Sequence, residues 1–251
     1  MRLKDAVAIV TGAGAGMGRA IAARFAHEGA RVVIAEIDDR AGEACAKAIR
    51  LAGGEALFIH TDVSSDTQVA AMTAGALARY GRIDVLVNNA AVISTHEGRA
   101  HELTSAAWER TIEINLRGYW LCSKHVIPTM LEQGGGSIIF IASPTGLLGF
   151  AKLTAYSASK GGTLGLMRAM AADYSADHIR VNAIVPGTME TPMTAAELAD
   201  PALRQKFIAM APLGRLGTAE DITGMALFLA TPDASYCTGG IYMVDGGLTA
   251  I

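Results

Sequence analysis

Seven short runs of apolar and β-branched residues recur along the chain, and they restrict its possible folds more than any other feature. They are AVAIVT (6–11), RVVIA (31–35), ALFIH (56–60), DVLVN (84–88), SIIFIA (137–142), IRVNAIV (179–185) and IYMVD (241–245). Several are apolar at consecutive positions, the pattern of strands covered on both faces. The segments between them carry helix punctuation. Ile21 and Phe25 lie four apart and Gly29 supplies a stop. Asp38 or Asp39 opens a second helix that ends before Gly53 and Gly54, and Ser64 or Ser65 opens a third, containing Val69, Met72 and Ala76, that ends near Gly81. Strands alternating with helices need right-handed crossovers, so the expected architecture is α/β: a doubly wound parallel sheet of about seven strands with helices on both faces.

No linker, repeat or low-complexity tract divides the 251 residues, which are therefore read as a single domain, 1–251. The stretch 186–240 has turn signals and two helical patterns, and is expected to be an excursion over the sheet. With 51% hydrophobic and 18% charged residues the chain is globular, and a net charge of −3 gives no electrostatic footprint for nucleic acid or an anionic membrane. Cys45, Cys122 and Cys237 are widely spaced, as free thiols in a reducing compartment are. Arg2 and Lys4 precede an apolar run too short for a secretion signal, and no run is long enough to span a membrane, so a cytoplasmic location is expected. His27, His60, His96, His101, His125 and His178 are scattered, and no metal site is expected.

The first apolar run leads into TGAGAGMG (11–18) and then a helical pattern. A strand-to-helix turn directs backbone N–H groups and the positive end of a helix dipole at whatever binds there, which suits a pyrophosphate. Gly12 permits the tight turn, Gly16 lets phosphates approach the backbone and Gly18 lets helix and strand pack closely. Glu36 ends the second run, where a carboxylate accepts hydrogen bonds from an adenosine ribose. Asp62 follows the third run and Asn89 and Ala90 the fourth, both at the carboxyl edge where such sheets bind ligands. Beyond the fifth run come Ser143 and then YSASK, which sets Tyr156 and Lys160 four apart on one helix face.

These motifs resemble the single-domain branch of the short-chain dehydrogenase/reductase family. TGAGAGMG fits its T-G-x-x-x-G-x-G, NNAA its N-N-A-G with Ala91 replacing the usual Gly, and IEIN, Ser143, Y-x-x-x-K and PGTMET (186–191) follow in family order. The resemblance implies a Rossmann-type fold and a catalytic tetrad of Asn115, Ser143, Tyr156 and Lys160. It also implies a cofactor site of Gly12, Ala15, Gly16, Met17, Gly18, Glu36, Ile37, Asp62, Val63, Asn89, Ala90, Tyr156, Lys160, Pro186, Gly187 and Thr191. Lys160 would bind the nicotinamide ribose and Asn115 would position a relay water. In families of this kind the helices near 105–132 and 156–175 and the C-terminal segment pair subunits, so a homotetramer is expected.

The chemistry explains the residue types. Oxidising a carbinol requires removal of the hydroxyl proton, and reduction requires its return. A tyrosine of ordinary pKa is phenolate only about 0.1% of the time at pH 7, so Lys160 is expected to lower the pKa of Tyr156. Glu36 would repel a 2′-phosphate and neither Ala15 nor Ile37 is basic, which favours NAD over NADP. Three functions compete: an NAD-linked dehydrogenase of small alcohols and ketones, an NADPH-linked reductase of 3-oxoacyl groups on acyl carrier protein, and a non-catalytic nucleotide sensor. The intact tetrad opposes the third. The second benefits from a basic mouth for an acidic carrier, which the resemblance places just before the fifth strand and after the catalytic helix. Here 130–137 and 171–178 hold Glu132, Asp173 and Asp177 and no Lys or Arg, although Lys152 and Arg215 could supply some positive field. Substrate walls are expected from Ala91–Ile93, 144–150 and the 188–215 cover, with Met189, Met193, Phe207 and Met210.

Overall fold

A computed structural model describes residues 1–94 and 97–250. Seven parallel strands form one sheet: β1 (Val7–Thr11), β2 (Arg31–Glu36), β3 (Glu55–His60), β4 (Val85–Asn88), β5 (Gly136–Ile141), β6 (Ile179–Pro186) and β9 (Ile241–Val244), in the order β3-β2-β1-β4-β5-β6-β9. All seven apolar runs became strands. β1 pairs with both β2 (Val7 opposite Arg31) and β4 (Ala8 opposite Val85), so the winding reverses between β1 and β4. That reversal opens a crevice at the carboxyl ends of the two strands, the position at which doubly wound sheets bind ligands.

The period-2 alternation of each strand supplies two cores. Ile9, Val33, Leu86, Phe140 and Val181 face one side and pack against α3 (Asp66–Tyr80), α5 (Gly118–Glu132) and α6 (Thr154–Tyr174), through Met72, Val126, Met130, Leu164 and Met167. Ala8, Val10, Ile34, Val87 and Ile139 face the other side and meet α1 (Gly16–His27) and α2 (Asp39–Leu51) through Ile21, Phe25, Cys45 and Ile49. Both faces are dry, which is why the strands read as unbroken apolar runs.

The caps resolve two choices that the sequence left open. Asp38, not Asp39, accepts the Ala41 N–H at 3.0 Å, and Ser65, not Ser64, accepts that of Gln68 at 3.4 Å. Gly81 ends α3 in the left-handed region at φ 75°.

The late excursion is shorter than expected. After β6 a two-stranded ribbon, β7 (Met189–Glu190) and β8 (Gly217–Thr218), brackets α7 (Ala195–Leu198) and α8 (Pro201–Met210), neither of which buries a residue. The next helix, α9 (Thr223–Ala230), belongs to the core: Ala226, Leu227 and Leu229 lie buried on the α1 face of the sheet. Its near-continuous apolar sequence, TGMALFLA, is that of a covered helix rather than of a lid. No helix among the described residues is long and apolar enough to cross a membrane.

Candidate active site

The crevice between β1 and β4 is the mouth of a cleft with a cavity volume of about 270 Å³. Its wall includes Gly12, Ala15, Gly16, Met17, Glu36, Ile37, Asp62, Val63, Asn89, Ala90, Tyr156, Lys160 and Thr191, thirteen of the residues singled out in the sequence. Gly12 and Gly16 are both left-handed, at φ 63° and 52°, and a Cβ on Gly12 would stand 2.8 Å from the Cα of Ala90. Ala15 gives α1 no side-chain cap, and its first turn carries no acidic residue, so the N-terminal N–H groups are left for a ligand. Glu36 is held at the rim: its carboxylate accepts the Gly14 N–H at 2.9 Å and that of Ile37 at 2.8 Å. An uncapped helix start, two glycines in obligatory conformations and a fixed carboxylate fit a dinucleotide.

Asp62 sits deeper in the cleft. Burial acts to raise its pKa, but hydrogen bonds from the Ser64 hydroxyl and N–H, with the field of Arg110, hold it below the usual carboxylate range. The Thr11 hydroxyl accepts the N–H groups of Asn89 (2.9 Å) and Ala90 (3.1 Å), while the Asn89 amide donates to the Thr11 and Gly12 carbonyls. Strand β1 and the loop after β4 are thereby tied together across the crevice.

At the inner end, Tyr156 and Lys160 emerge from the first turns of α6, which packs on the turn Pro144–Gly146 that follows Ser143. Burial pushes the Tyr156 phenol up to about 12, opposed by a hydrogen bond with Ser143. Burial lowers the Lys160 ammonium to about 7. Its Nζ donates to the Ile141 carbonyl at 2.7 Å and lies 5.7 Å from the centre of the Tyr156 ring. Desolvation is the largest influence on the phenol, and Ser143 acts against it.

Five expected residues stand off the wall. A Cβ on Gly18 would lie 2.3 Å from the Gly12 carbonyl, so Gly18 serves the strand–helix contact. Ser143 Oγ accepts the Thr145 hydroxyl at 3.0 Å and acts on the Tyr156 phenol, and Pro186 lies buried in β6. Gly187 backs against Asp245 and lines a separate cavity of about 500 Å³ with Met189 and Phe207. Asn115 is fully buried in a π-helical turn, Glu113–Arg117, between α4 (Ser105–Ile112) and α5. Its side chain accepts the Val92 N–H at 2.8 Å and donates to the Val92 carbonyl (2.9 Å) and the Ser159 hydroxyl (3.2 Å). The expected substrate walls divide: Ala91, Val92 and Met193 line the first cleft, Met189 and Phe207 the second, and Leu147 and Leu148 are exposed.

A family model described as Enoyl-(Acyl carrier protein) reductase matches residues 12–249. Cis-4-hydroxycyclohexanecarboxylate dehydrogenase of Sinomonas cyclohexanicum is 43% identical over 98% of both chains. The chain belongs to the short-chain dehydrogenase/reductase family. Another relative, 2-(S)-hydroxypropyl-CoM dehydrogenase 3 of Xanthobacter autotrophicus, is 37% identical over 100% of this chain and 99% of its own. A solved structure from Beutenbergia cavernae, provisionally described as an NAD(P) dependent gluconate 5-dehydrogenase, holds NADP at low occupancy. It superposes with a TM-score of 0.94 at 38% identity, over 99% of this chain and 98% of that one. Short-chain dehydrogenases/reductases use a nicotinamide cofactor, and these relatives are dehydrogenases acting on CH–OH groups.

Within this short-chain dehydrogenase/reductase the sequence did not reveal Thr61, Arg110, Ile114, Ile141 and Ala142 as cleft residues. Ile141 and Ala142 were legible only as the end of a strand, and Arg110 only as a charge on a helix. Among the described residues no group of three or more His, Cys, Asp and Glu side chains could hold a metal; His96 lies outside the described residues.

Proposed function

We propose that the protein is an NAD(H)-dependent oxidoreductase that interconverts a small, free secondary alcohol and its ketone, with Tyr156 as the acid/base. The observation that carries this reading is one cleft, walled by the uncapped start of α1 and the fixed Glu36 at one end and by Tyr156 and Lys160 at the other. A nicotinamide bound there supplies the hydride acceptor or donor. As the phenolate, Tyr156 takes the carbinol proton in oxidation, and as the phenol it returns that proton to the alkoxide in reduction, while the Ser143 hydroxyl, which also favours the phenolate, orients the substrate oxygen. Lys160, whose Nζ lies 5.7 Å from the centre of the Tyr156 ring, would bond the nicotinamide ribose, and its ammonium form favours the phenolate. Both ends of the Asn115 side chain are engaged, so a relay water there would meet its main-chain carbonyl.

Glu36 favours NAD: a free 2′-hydroxyl can donate to the carboxylate, whereas a 2′-phosphate would face a like charge. The carrier-protein reductase reading loses support from charge. Arg215 is paired with Asp221 at 2.7 Å and offers little field to an acidic partner, leaving Lys152 and, on the cleft wall, Arg110. The whole chain, 1–251, acts as one catalytic domain, with 188–215 covering the substrate. We also infer a homotetramer.

The test is kcat/KM with NAD and NADP over a panel of secondary alcohols, following reduced-nicotinamide absorbance. At least a tenfold preference for NAD is expected, narrowed or reversed by the double change Glu36→Ala with Ile37→Arg. Equal values or an NADP preference in the unaltered protein would contradict the reading.

A further inference from the structure

The catalytic helix begins without a cap of its own. Leu153, at the N-cap position of α6, provides no side-chain hydrogen bond, and the first turn contains no acidic residue. Such a start leaves N–H groups without partners. They are met from elsewhere in the chain. The carboxylate of Glu97, in the loop after β4, accepts the N–H of Ala155 through Oε2 at 3.2 Å and that of Tyr156 through Oε1 at 2.8 Å. Beside it, the Thr154 hydroxyl donates to the Gly98 carbonyl at 2.9 Å.

The carbonyl of Tyr156 is fixed as well. It accepts the Ser159 hydroxyl at 2.7 Å, and that hydroxyl accepts the Asn115 amide, whose other contacts are to Val92. Both peptide groups of Tyr156 are therefore pinned by side chains outside the helical hydrogen-bond ladder. A charged acceptor at a helix start makes stronger hydrogen bonds than a neutral one and also complements the dipole. Displacements well under 1 Å matter for a group that must meet both Ser143 and a substrate hydroxyl.

We propose that Glu97 is a positioning residue for catalysis: it clamps the first turn of α6 so that the Tyr156 hydroxyl is held against Ser143 and the reacting oxygen. This rests on the assignment of Tyr156 as acid/base. Glu97 itself lies outside the residues that line the cleft. Its action is on the backbone that carries the phenol, and the reach of the side chain is what fits it to the task.

The experiment compares Glu97→Ala, Glu97→Asp and Glu97→Gln with the unaltered protein and with Tyr156→Phe. Readouts are kcat, KM for the alcohol, the NADH dissociation constant by fluorescence, and the pH profile of oxidation. Glu97→Ala should lower kcat at least tenfold with NADH affinity within twofold of normal. Its ascending pH limb should move to higher pH, because a displaced phenol loses the Ser143 bond that favours ionisation. Glu97→Asp keeps the charge but lacks one methylene of reach and should resemble Ala. Glu97→Gln keeps the reach and one acceptor and should recover to within about threefold, which also keeps the test decisive should Ala fold poorly. A Glu97→Ala enzyme within twofold of normal kcat, a loss that follows NADH affinity, an unmoved pH limb, or equal damage in Gln and Ala would overturn the proposal. If Tyr156→Phe stays active, the acid/base assignment fails; if it is dead while Glu97→Ala is normal, only the clamp fails.

Discussion

Lys160 is the residue at which two physical effects compete most openly. A charge beside a phenol favours the phenolate, but a side chain with 1% exposure loses hydration that a carbonyl and an aromatic hydroxyl only partly replace. Spacing alone exposed the first effect; the second depends on how deeply α6 is covered, which no local pattern carries. The consequence can be measured. The folded pKa, about 7, lies below the ordinary 10.5, so between those values the unfolded chain binds more protons than the folded one. Stability therefore rises with pH across that window, by an amount on the order of a few kcal/mol. Lys160→Met should flatten this rise: the difference in Tm between variant and unaltered protein should change steadily from pH 7 to 10 and stay constant below pH 6. A difference independent of pH would show that the ammonium is not desolvated in the fold.

At the scale of elements, strands and caps were legible because their causes are local: an apolar run buried on both sides, an Asp or Ser one residue before a helix. Three features were not. The π-helical turn that carries Asn115 depends on contacts with Val92 and Ser159, far apart in the chain. The cap of α6 comes from Glu97, nearly sixty residues before Tyr156. Helix α9 looked like part of a cover because its neighbours do, yet its uniform apolarity assigned it to the core. Elements also carry the case for assembly. Trp108 on α4 and Trp120 and Leu131 on α5 are 39%, 44% and 42% exposed, and Met243 on the edge strand β9 is 41% exposed. Large apolar side chains in such numbers on adjoining helices and an unpaired strand edge suit isologous contacts about two-fold axes. Light scattering at micromolar concentration should give four times the 26.1 kDa chain mass, and a mass near that of one chain would contradict the homotetramer.

For the whole molecule, strand order does what no motif can. The motifs name residues, but only the reversal between β1 and β4 gathers Gly12, Glu36, Asp62, Asn89 and Tyr156, drawn from four separate strand ends and a helix, around one cleft. The same gathering left Pro186 and Gly187 to one side, because the turn after β6 backs onto Asp245. A site assembled in this way is read most directly by removing the one oxygen assigned to the chemistry. Tyr156→Phe keeps the ring and its packing and deletes the hydroxyl, so NADH affinity should remain within about threefold of normal. With NAD and the best secondary alcohol of the panel, its kcat should fall at least a thousandfold, the scale of a lost acid/base with its transition-state hydrogen bond. A variant that retains a tenth of normal kcat would contradict the account.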